Sequence, residues 1–188
     1  PNGGEYVRGV ITISWDTNED NKDVVKIEYS SDGGITWNTI IESTQDDGSY
    51  NWNTTQVSDG DGTQYLIRIT ATDKAGNTGG DTSDSTFTID NTAPTVGDVQ
   101  FSPTSGSYTA SSFTVNASVS DNIALNASTC EVCVTTDGTC DTEWSSGTFS
   151  GTETSGYCYA TFSGYSDGST CLLYTSDAAD DGESVDLG

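Results

Sequence analysis

Apolar and polar residues alternate in short runs along this chain, which is the pattern of β-strands that bury one face. In Val10–Asp16, the apolar side chains of Ile11, Ile13 and Trp15 share one side of the strand, and polar residues occupy the other. The same alternation turns two further sets inward, namely Val25, Ile27 and Tyr29, and Tyr65, Ile67, Ile69 and Ala71. No apolar period of 3.6 residues accompanies these runs, so the pattern predicts strands and no helices.

Seven strands are predicted in the first part of the chain. They fall at Glu5–Arg8, Val10–Asp16, Val24–Ser30, Ile35–Glu42, Tyr50–Asn53, Tyr65–Asp73 and Thr86–Ile89. Seven short strands suit a two-layered sandwich, which predicts a first module over residues 1–90. Because Pro94 biases Ala93 toward an extended conformation, residues 91–95 are predicted to form a short, stiff linker.

A second module is predicted over residues 96–170. Its longest strand turns Phe113, Val115, Ala117 and Val119 inward, and further strands are predicted at Thr129–Thr135, Glu143–Phe149 and Tyr157–Phe162. The module stops before counterparts of the Tyr65–Asp73 strand and of the strand after it, which leaves a sandwich edge uncovered. The prediction is an all-β protein of two tandem β-sandwich modules, of which the second is truncated.

The segment 171–188 differs in character from the rest of the chain. C-L-L-Y-T-S-D-A-A-D at Cys171–Asp180 and V-D-L-G at Val185–Gly188 resemble the in-frame translation of a transposon-derived adapter used in preparing DNA libraries. The intervening residues 181–184 fall where such an adapter carries a variable index. We therefore expect 171–188 to be a non-native tail that follows Thr170.

Acidic residues dominate the charge of the chain. The formal net charge is −24, from 29 acidic and five basic residues. Subtracting the five acidic residues of the segment 171–188 leaves 24, and a net charge of about −19. Such a field repels nucleic acid and anionic lipid, so we expect no nucleic-acid partner and do not favour a lipid one. No stretch is long and apolar enough to span a bilayer.

Histidine, a residue of many catalytic sites, is missing. The chain has no His, so it can form neither a Ser/His pair nor a Cys/His pair. Carboxylates abound, but no motif places two of them in a cleft for glycoside hydrolysis. We predict that the chain is not an enzyme, and we assign no catalytic or cofactor-binding residue.

Without Cys171, four cysteines remain, and all of them lie in the second module: Cys130, Cys133, Cys140 and Cys158. An even number in one module predicts two disulfides and an oxidising compartment. Cys130 and Cys133 also have the C-x-x-C spacing of zinc sites, but residues three apart on a strand face opposite sides. We favour Cys130–Cys158 across the module and Cys133–Cys140 within a hairpin, while the two other pairings stay open.

The segment Ser30–Trp37 reads S-S-D-G-G-I-T-W and matches the S-x-D-x-G-x-T-W pattern called an Asp-box. It resembles the boxes repeated in sialidase propellers, where they are structural, and one copy does not predict a sialidase. The motif predicts a hairpin turn in which Asp32 accepts hydrogen bonds from backbone N–H groups and Trp37 packs beneath the turn. Its defining residues are Ser30, Asp32, Gly34, Thr36 and Trp37.

Five stretches of the first module form a set. They are P-N-G-G-E at Pro1–Glu5, I-S-W at Ile13–Trp15, Y-S-S-D-G-G-I-T-W at Tyr29–Trp37, Y-L-I-R-I-T-A-T-D-K-A-G-N at Tyr65–Asn77 and F-T-I-D-N-T-A-P at Phe87–Pro94. Together they resemble the immunoglobulin-like or fibronectin type III-like repeats of bacterial and archaeal surface proteins. The second module resembles a cysteine-bearing relative through D-N-I-A-L at Asp121 and its paired cysteines. Two tandem sandwiches of this type are therefore expected.

The resemblance implies a non-catalytic spacer, stalk or adhesion module of a secreted or cell-surface protein, located outside the cell. The expected partners are neighbouring modules in a longer chain and, for an adhesin, a glycan or a host or cell-surface protein. The alternative is an accessory, carbohydrate-binding module of a secreted glycoside hydrolase or protease. An exposed strip of coplanar aromatic residues would favour that alternative, whereas buried tryptophans would favour the spacer.

Calcium is the one ligand that the sequence suggests. Six carboxylate and amide residues could converge at the joint between the modules: Asp73, Asn77, Asp90, Asn91, Asp121 and Asn122. Ca²⁺ takes about six to eight hard oxygen ligands and would stiffen the linker. D-N-T-A-P at Asp90 loosely resembles the linkers of cadherins, which use this device. The competing interpretation is that these residues cap turns.

Overall fold

Strands account for nearly all the regular structure of the protein. The computed structural model describes residues 1–17, 22–102, 112–135, 144–163 and 170–174. Among them the helical segments are two 3₁₀ turns, Thr54–Gln56 and Ala127–Thr129, and neither is long and apolar enough to cross a membrane. The chain divides into two compact units, the first ending at Asn91 and the second beginning at Thr92. The predicted all-β class is confirmed.

The first unit contains eight described strands. They are Tyr6–Val7 (β1), Val10–Ser14 (β2), Lys22–Ser30 (β3), Asn38–Gln45 (β4), Ser49–Asn53 (β5), Gly62–Asp73 (β6), Thr78–Thr82 (β7) and Phe87–Ile89 (β8). One sheet has the order β1-β8-β6-β3-β4, with β7 also paired to β6, and the other consists of β2 and β5. β1 runs parallel to β8, and the remaining pairs are antiparallel.

The two sheets of the first unit enclose one hydrophobic core. Ile13 and Trp52 come from the two-stranded sheet, and the larger sheet supplies Val25, Ile27, Tyr29, Tyr65, Ile67, Phe87 and Ile89. Ile11, Trp15, Ile69 and Ala71 are half-buried against this core. The inward positions predicted from alternation are therefore confirmed, and the unit is a β-sandwich.

The hydrogen bond made by Tyr65 identifies the type of sandwich, which its position in an alternating run does not. It lies near the start of β6, is 1% exposed, and its hydroxyl donates to the carbonyl of Gly60 five residues upstream. A tyrosine that bonds back to the preceding corner is a hallmark of immunoglobulin-like sandwiches. The pKa of this phenol is raised to about 12, mainly by burial and secondly by the nearby carboxylate of Asp59.

The structure has one strand more than the predicted seven, because β7 lies between the strands predicted at Tyr65–Asp73 and Thr86–Ile89. β7 pairs with the second half of β6, from Arg68 to Thr72, and β8 pairs with its beginning. The sequence of β7 is T-G-G-D-T, which lacks apolar alternation and is poor in strand-forming residues. β7 pairs with β6 because the two strands form a hairpin, and no apolar pattern is needed for that pairing. The alternation of residues therefore did not predict β7.

The second unit also consists of two sheets. Its described strands are Thr95–Val96 (β9), Gln100–Ser102 (β10), Ser112–Ser120 (β11), Glu131–Thr135 (β12), Trp144–Ser146 (β13), Thr148–Gly151 (β14), Ser155–Ser163 (β15) and Thr170–Tyr174 (β16). One sheet has the order β10-β11-β15-β14, with β9 also on β11, and the other has the order β13-β12-β16. Both contribute to a core of Val115, Ala117, Val119, Cys130, Val132, Val134, Cys158 and Phe162.

The single strand predicted at Glu143–Phe149 is wrong. The chain changes sheets at Gly147, so that β13 pairs with β12 and β14 pairs with β15. The N–H of Gly147 donates to the carbonyl of Cys130 at 2.7 Å. A Cβ atom at this position would lie 2.5 Å from the Cys130 sulfur, so the crossing requires a residue without a side chain.

In the second unit, β16 occupies the position that β6 has in the first unit. β16 pairs antiparallel with β12, as β6 pairs with β3 in the first unit. Its sequence is T-C-L-L-Y. This strand includes the first four residues of the segment expected to be a non-native tail. No counterpart of β8 occurs among the described residues that follow β12.

Candidate functional site

The structure gathers the Asp-box residues into one tight turn between β3 and β4. The Asp32 carboxylate accepts hydrogen bonds from the N–H groups of Ile35 at 3.0 Å and Thr36 at 2.9 Å, and from the Thr36 hydroxyl at 2.6 Å. The fully buried Ser30 donates to Asp32 at 2.8 Å and accepts from the N–H of Gly34 at 2.8 Å. These bonds satisfy the backbone of the turn.

Electrostatics and glycine geometry hold the same turn. The hydroxyl and N–H of Thr36, together with the Ser30 hydroxyl, lower the pKa of Asp32 from 3.8 to about 2. Gly33 and Gly34 have φ of 71° and 93°, values that only glycine adopts without strain. The indole N–H of Trp37 donates to the Gly34 carbonyl at 3.2 Å. The motif therefore acts as a structural turn.

A small ionic cluster lies on the sheet beside this turn. Arg68 donates to the Glu28 carboxylate from Nε at 3.0 Å and from Nη2 at 2.7 Å, and its guanidinium carbon lies 4.1 Å from the centre of the Trp37 ring. Lys26 bridges Glu28 at 3.3 Å and Glu42 at 3.1 Å. Burial alone would raise the pKa of Glu28, but the bonds from Arg68 and Lys26 lower it. The cluster cross-links β3, β4 and β6.

Asp73 and Asn77 cap the turn between β6 and β7. The Asp73 carboxylate accepts from the N–H of Ala75 at 2.9 Å, from the N–H of Asn77 at 2.7 Å and from the Asn77 side-chain amide at 2.8 Å. The side-chain and backbone bonds from Asn77 lower the pKa of Asp73. This geometry is the turn-capping alternative to calcium binding.

Asp90 and Asn91 lie at the other end of β6. Ile89 pairs with Gly62 at the start of that strand, whereas Asp73 ends it eleven residues later. At about 3.3 Å per residue, the two places are roughly 36 Å apart. Within the first unit, the structure therefore does not bring Asp73 and Asn77 together with Asp90 and Asn91.

Two further members of the predicted calcium set, Asn91 and Asp121, accept local hydrogen bonds. The Asn91 side-chain oxygen accepts from the N–H of Gly9 at 2.9 Å and from the hydroxyl of Thr54 at 3.0 Å. Asp90 is fully buried, and Asn122 is exposed. Asp121 accepts from the N–H groups of the two residues that follow Asn122, at 2.7 and 2.9 Å. No group of three or more His, Cys, Asp or Glu side chains in the described part is arranged to hold a metal.

One disulfide of the second unit joins its two sheets. Cys130, just before β12, is bonded to Cys158 in the middle of β15, which is the pairing favoured from the sequence. Both residues are buried in the core. Cys133 is also disulfide-bonded. Cys140, its favoured partner, lies outside the described residues.

A groove of about 550 Å³ opens in the first unit between the end of β2 and the β6–β7 hairpin. Its apolar floor consists of Ile13, Ile67, Ile69 and Ala71. β7, whose residues line the groove, has the sequence T-G-G-D-T and carries no apolar side chain. The alternation of apolar and polar residues did not predict the groove. A polar stretch such as β7 next to an apolar strand such as β6 is the feature of the sequence that could have indicated it.

No protein-family model matches the chain, and no curated protein matches it. Among solved structures, fibronectin type III domains FN1–FN3 of chicken CNTN1 are similar, with 14% identity and a TM-score of 0.46. The match covers 97% of this chain, which spans 60% of that one. The strand order, the cross-sheet cores and Tyr65 define the protein as an immunoglobulin-like or fibronectin type III-like β-sandwich.

Proposed function

We propose that this chain is a non-catalytic structural segment of a secreted or cell-surface protein, acting as a spacer, stalk or adhesion module. The observation that carries the proposal is that each unit encloses a core between two sheets. Units of this kind can be joined in series without sharing a core. Neighbouring modules of a longer chain are the proposed partners.

The cysteines support a place outside the cell. The disulfide between Cys130 and Cys158 crosses the core of the second unit, where it links strands of different sheets. Such bonds persist in oxidising compartments and are rare in the cytosol. The acidic surface agrees with this location, because a large net charge favours solubility.

The three tryptophans of the first unit favour the structural role over carbohydrate binding. Trp52 is buried in the core. Trp15 and Trp37 are half-buried, and their ring N–H groups donate to Asp46 and to the Gly34 carbonyl. An accessory sugar-binding module would need an exposed, coplanar set of rings. The rings of these three residues instead stabilise the first sandwich.

Single-molecule force spectroscopy on the full chain, held by its two ends, tests the spacer role. We expect two separate unfolding events, one for each unit. The disulfide shields residues between Cys130 and Cys158, whose separation is 28. Reduction should therefore lengthen the extension of the second unit by roughly 100 Å, at about 3.6 Å per residue. A unit that extends without a measurable unfolding force would overturn the proposal, because it could not transmit load.

A further inference from the structure

The groove of the first unit lies beside an unpaired strand edge. In the described part of the chain, β2 pairs with β5 and with no other strand. The Gly9 carbonyl and the Trp15 N–H both bond toward β5. Because these directions alternate along an antiparallel strand, the backbone groups of Thr12 and Ser14 point to the opposite edge. That edge can accept another strand.

The shape of the groove suits an extended segment. Residues at the end of β2 form one wall, and residues of β7 form the other. A strand laid between them would point alternate side chains at the floor formed by Ile13, Ile67, Ile69 and Ala71. The other side chains would point outward, toward the rim. A third strand would also complete a sheet that consists of only β2 and β5 in the described part.

The negative charge at the rim of the groove favours a cationic ligand. Four carboxylates line the groove, those of Asp16, Asp46, Asp73 and Asp81, and no Lys or Arg is among its described lining residues. Asp46 and Asp73 already accept hydrogen bonds within the unit. Asp16 and Asp81 are exposed, and their side chains make no hydrogen bond or ion pair in the described part of the chain. These two carboxylates complement a cation on each side of the groove.

We propose that the groove binds an extended, cationic peptide segment that adds a strand to the open edge of β2. Backbone hydrogen bonds to Thr12 and Ser14 supply the pairing, alternate apolar side chains cover the floor, and Lys or Arg side chains reach Asp16 and Asp81. This proposal goes beyond the structural role and does not depend on it. The force experiment measures whether each unit resists unfolding, whereas the titration described next measures peptide binding.

A defined peptide tests the proposal on the full chain. The probe is the blocked heptapeptide T-K-V-K-V-K-T, which places valines on one face of a strand and lysines on the other. Amide chemical shifts of the labelled protein, followed by NMR during titration, should change along β2 and β7. The peptides T-E-V-E-V-E-T and T-K-V-P-V-K-T should bind at least about 10-fold more weakly. The first reverses the charge, and the second breaks the strand and removes one lysine.

Matched double variants separate the groove from the general acidity of the chain. Asp16→Asn with Asp81→Asn should weaken binding of the lysine peptide about 3- to 10-fold, the range expected for two exposed ion pairs. Asp98→Asn with Glu153→Gln removes the same charge from exposed sites in the second unit. That control should change the affinity by less than about 2-fold.

Three results would overturn the proposal. In the first, both double variants weaken binding equally, so that attraction is diffuse. In the second, the shifted amides scatter over the acidic surface instead of following β2 and β7. In the third, the uncharged hexasaccharide cellohexaose shifts the groove amides while the lysine peptide does not, which would assign the groove to a glycan.

Discussion

Asp32 holds the turn after β3 by accepting bonds from two backbone N–H groups and two hydroxyls. Its pKa is about 2 in the folded protein, against an ordinary 3.8. A depressed pKa means that the stabilisation is present above about pH 4 and is lost as the pH falls toward 2. We predict that Asp32→Ala lowers the urea midpoint at pH 7, and that its difference from the parent shrinks between pH 4 and 2.

Asp32→Asn is the control for charge in that measurement. The amide keeps one acceptor oxygen and so retains part of the turn, but it does not titrate. Its urea midpoint at pH 7 should fall between those of the parent and the alanine variant. Identical pH profiles for the parent and the asparagine variant would contradict the assigned role of the carboxylate.

Tyr65 offers a second test at the residue scale. Tyr65→Phe keeps the packed ring but removes the bond to the Gly60 carbonyl, which should cost about 1–2 kcal/mol of unfolding free energy. The raised pKa of this phenol, about 12, predicts that its contribution is complete below pH 10 and is lost as the pH rises toward 12. Urea denaturation followed by tryptophan fluorescence measures both effects, since Trp15, Trp37 and Trp52 lie in the first unit. An unchanged midpoint would refute the corner bond.

At the scale of elements, Gly147 separates β13 from β14. We predict that Gly147→Ala destabilises the second unit by about 1–3 kcal/mol, because the new Cβ would lie 2.5 Å from the Cys130 sulfur. Gly79→Ala is the matched control, since a Cβ there meets no atom within 4 Å. Thermal unfolding followed by circular dichroism compares them. Equal losses would mean that crowding at the crossing is not the cause.

Elements were predicted well where one face of a strand is apolar. β2, β3, β6 and β11 follow alternation because their buried faces carry the core. β7 escaped prediction because T-G-G-D-T pairs with β6 through the backbone and buries little. The change of sheet at Gly147 was not predicted, because the alternation of residues indicates which residues are buried but not which sheet a strand belongs to.

For the whole molecule, the cysteines predict that the two units respond differently to reduction. All five lie in the second unit. Replacing Cys130 and Cys158 with serine should lower the stability of that unit by about 3–4 kcal/mol, from the loop that the bond closes. Calorimetry with and without a reductant should show one transition moving while the transition of the first unit stays. Movement of both transitions would show that the units do not unfold independently.

The sequence by itself determined the all-β class, the inward faces of the long strands and the favoured pairing of Cys130 with Cys158. These properties depend on local periodicity and residue chemistry. The tertiary structure decided how residues distant in sequence are placed. It put Asp73 and Asn91 at opposite ends of β6, and it left a groove between β2 and β7. Such outcomes depend on strand pairing, which couples positions far apart in the chain, so no local pattern of residues encodes them.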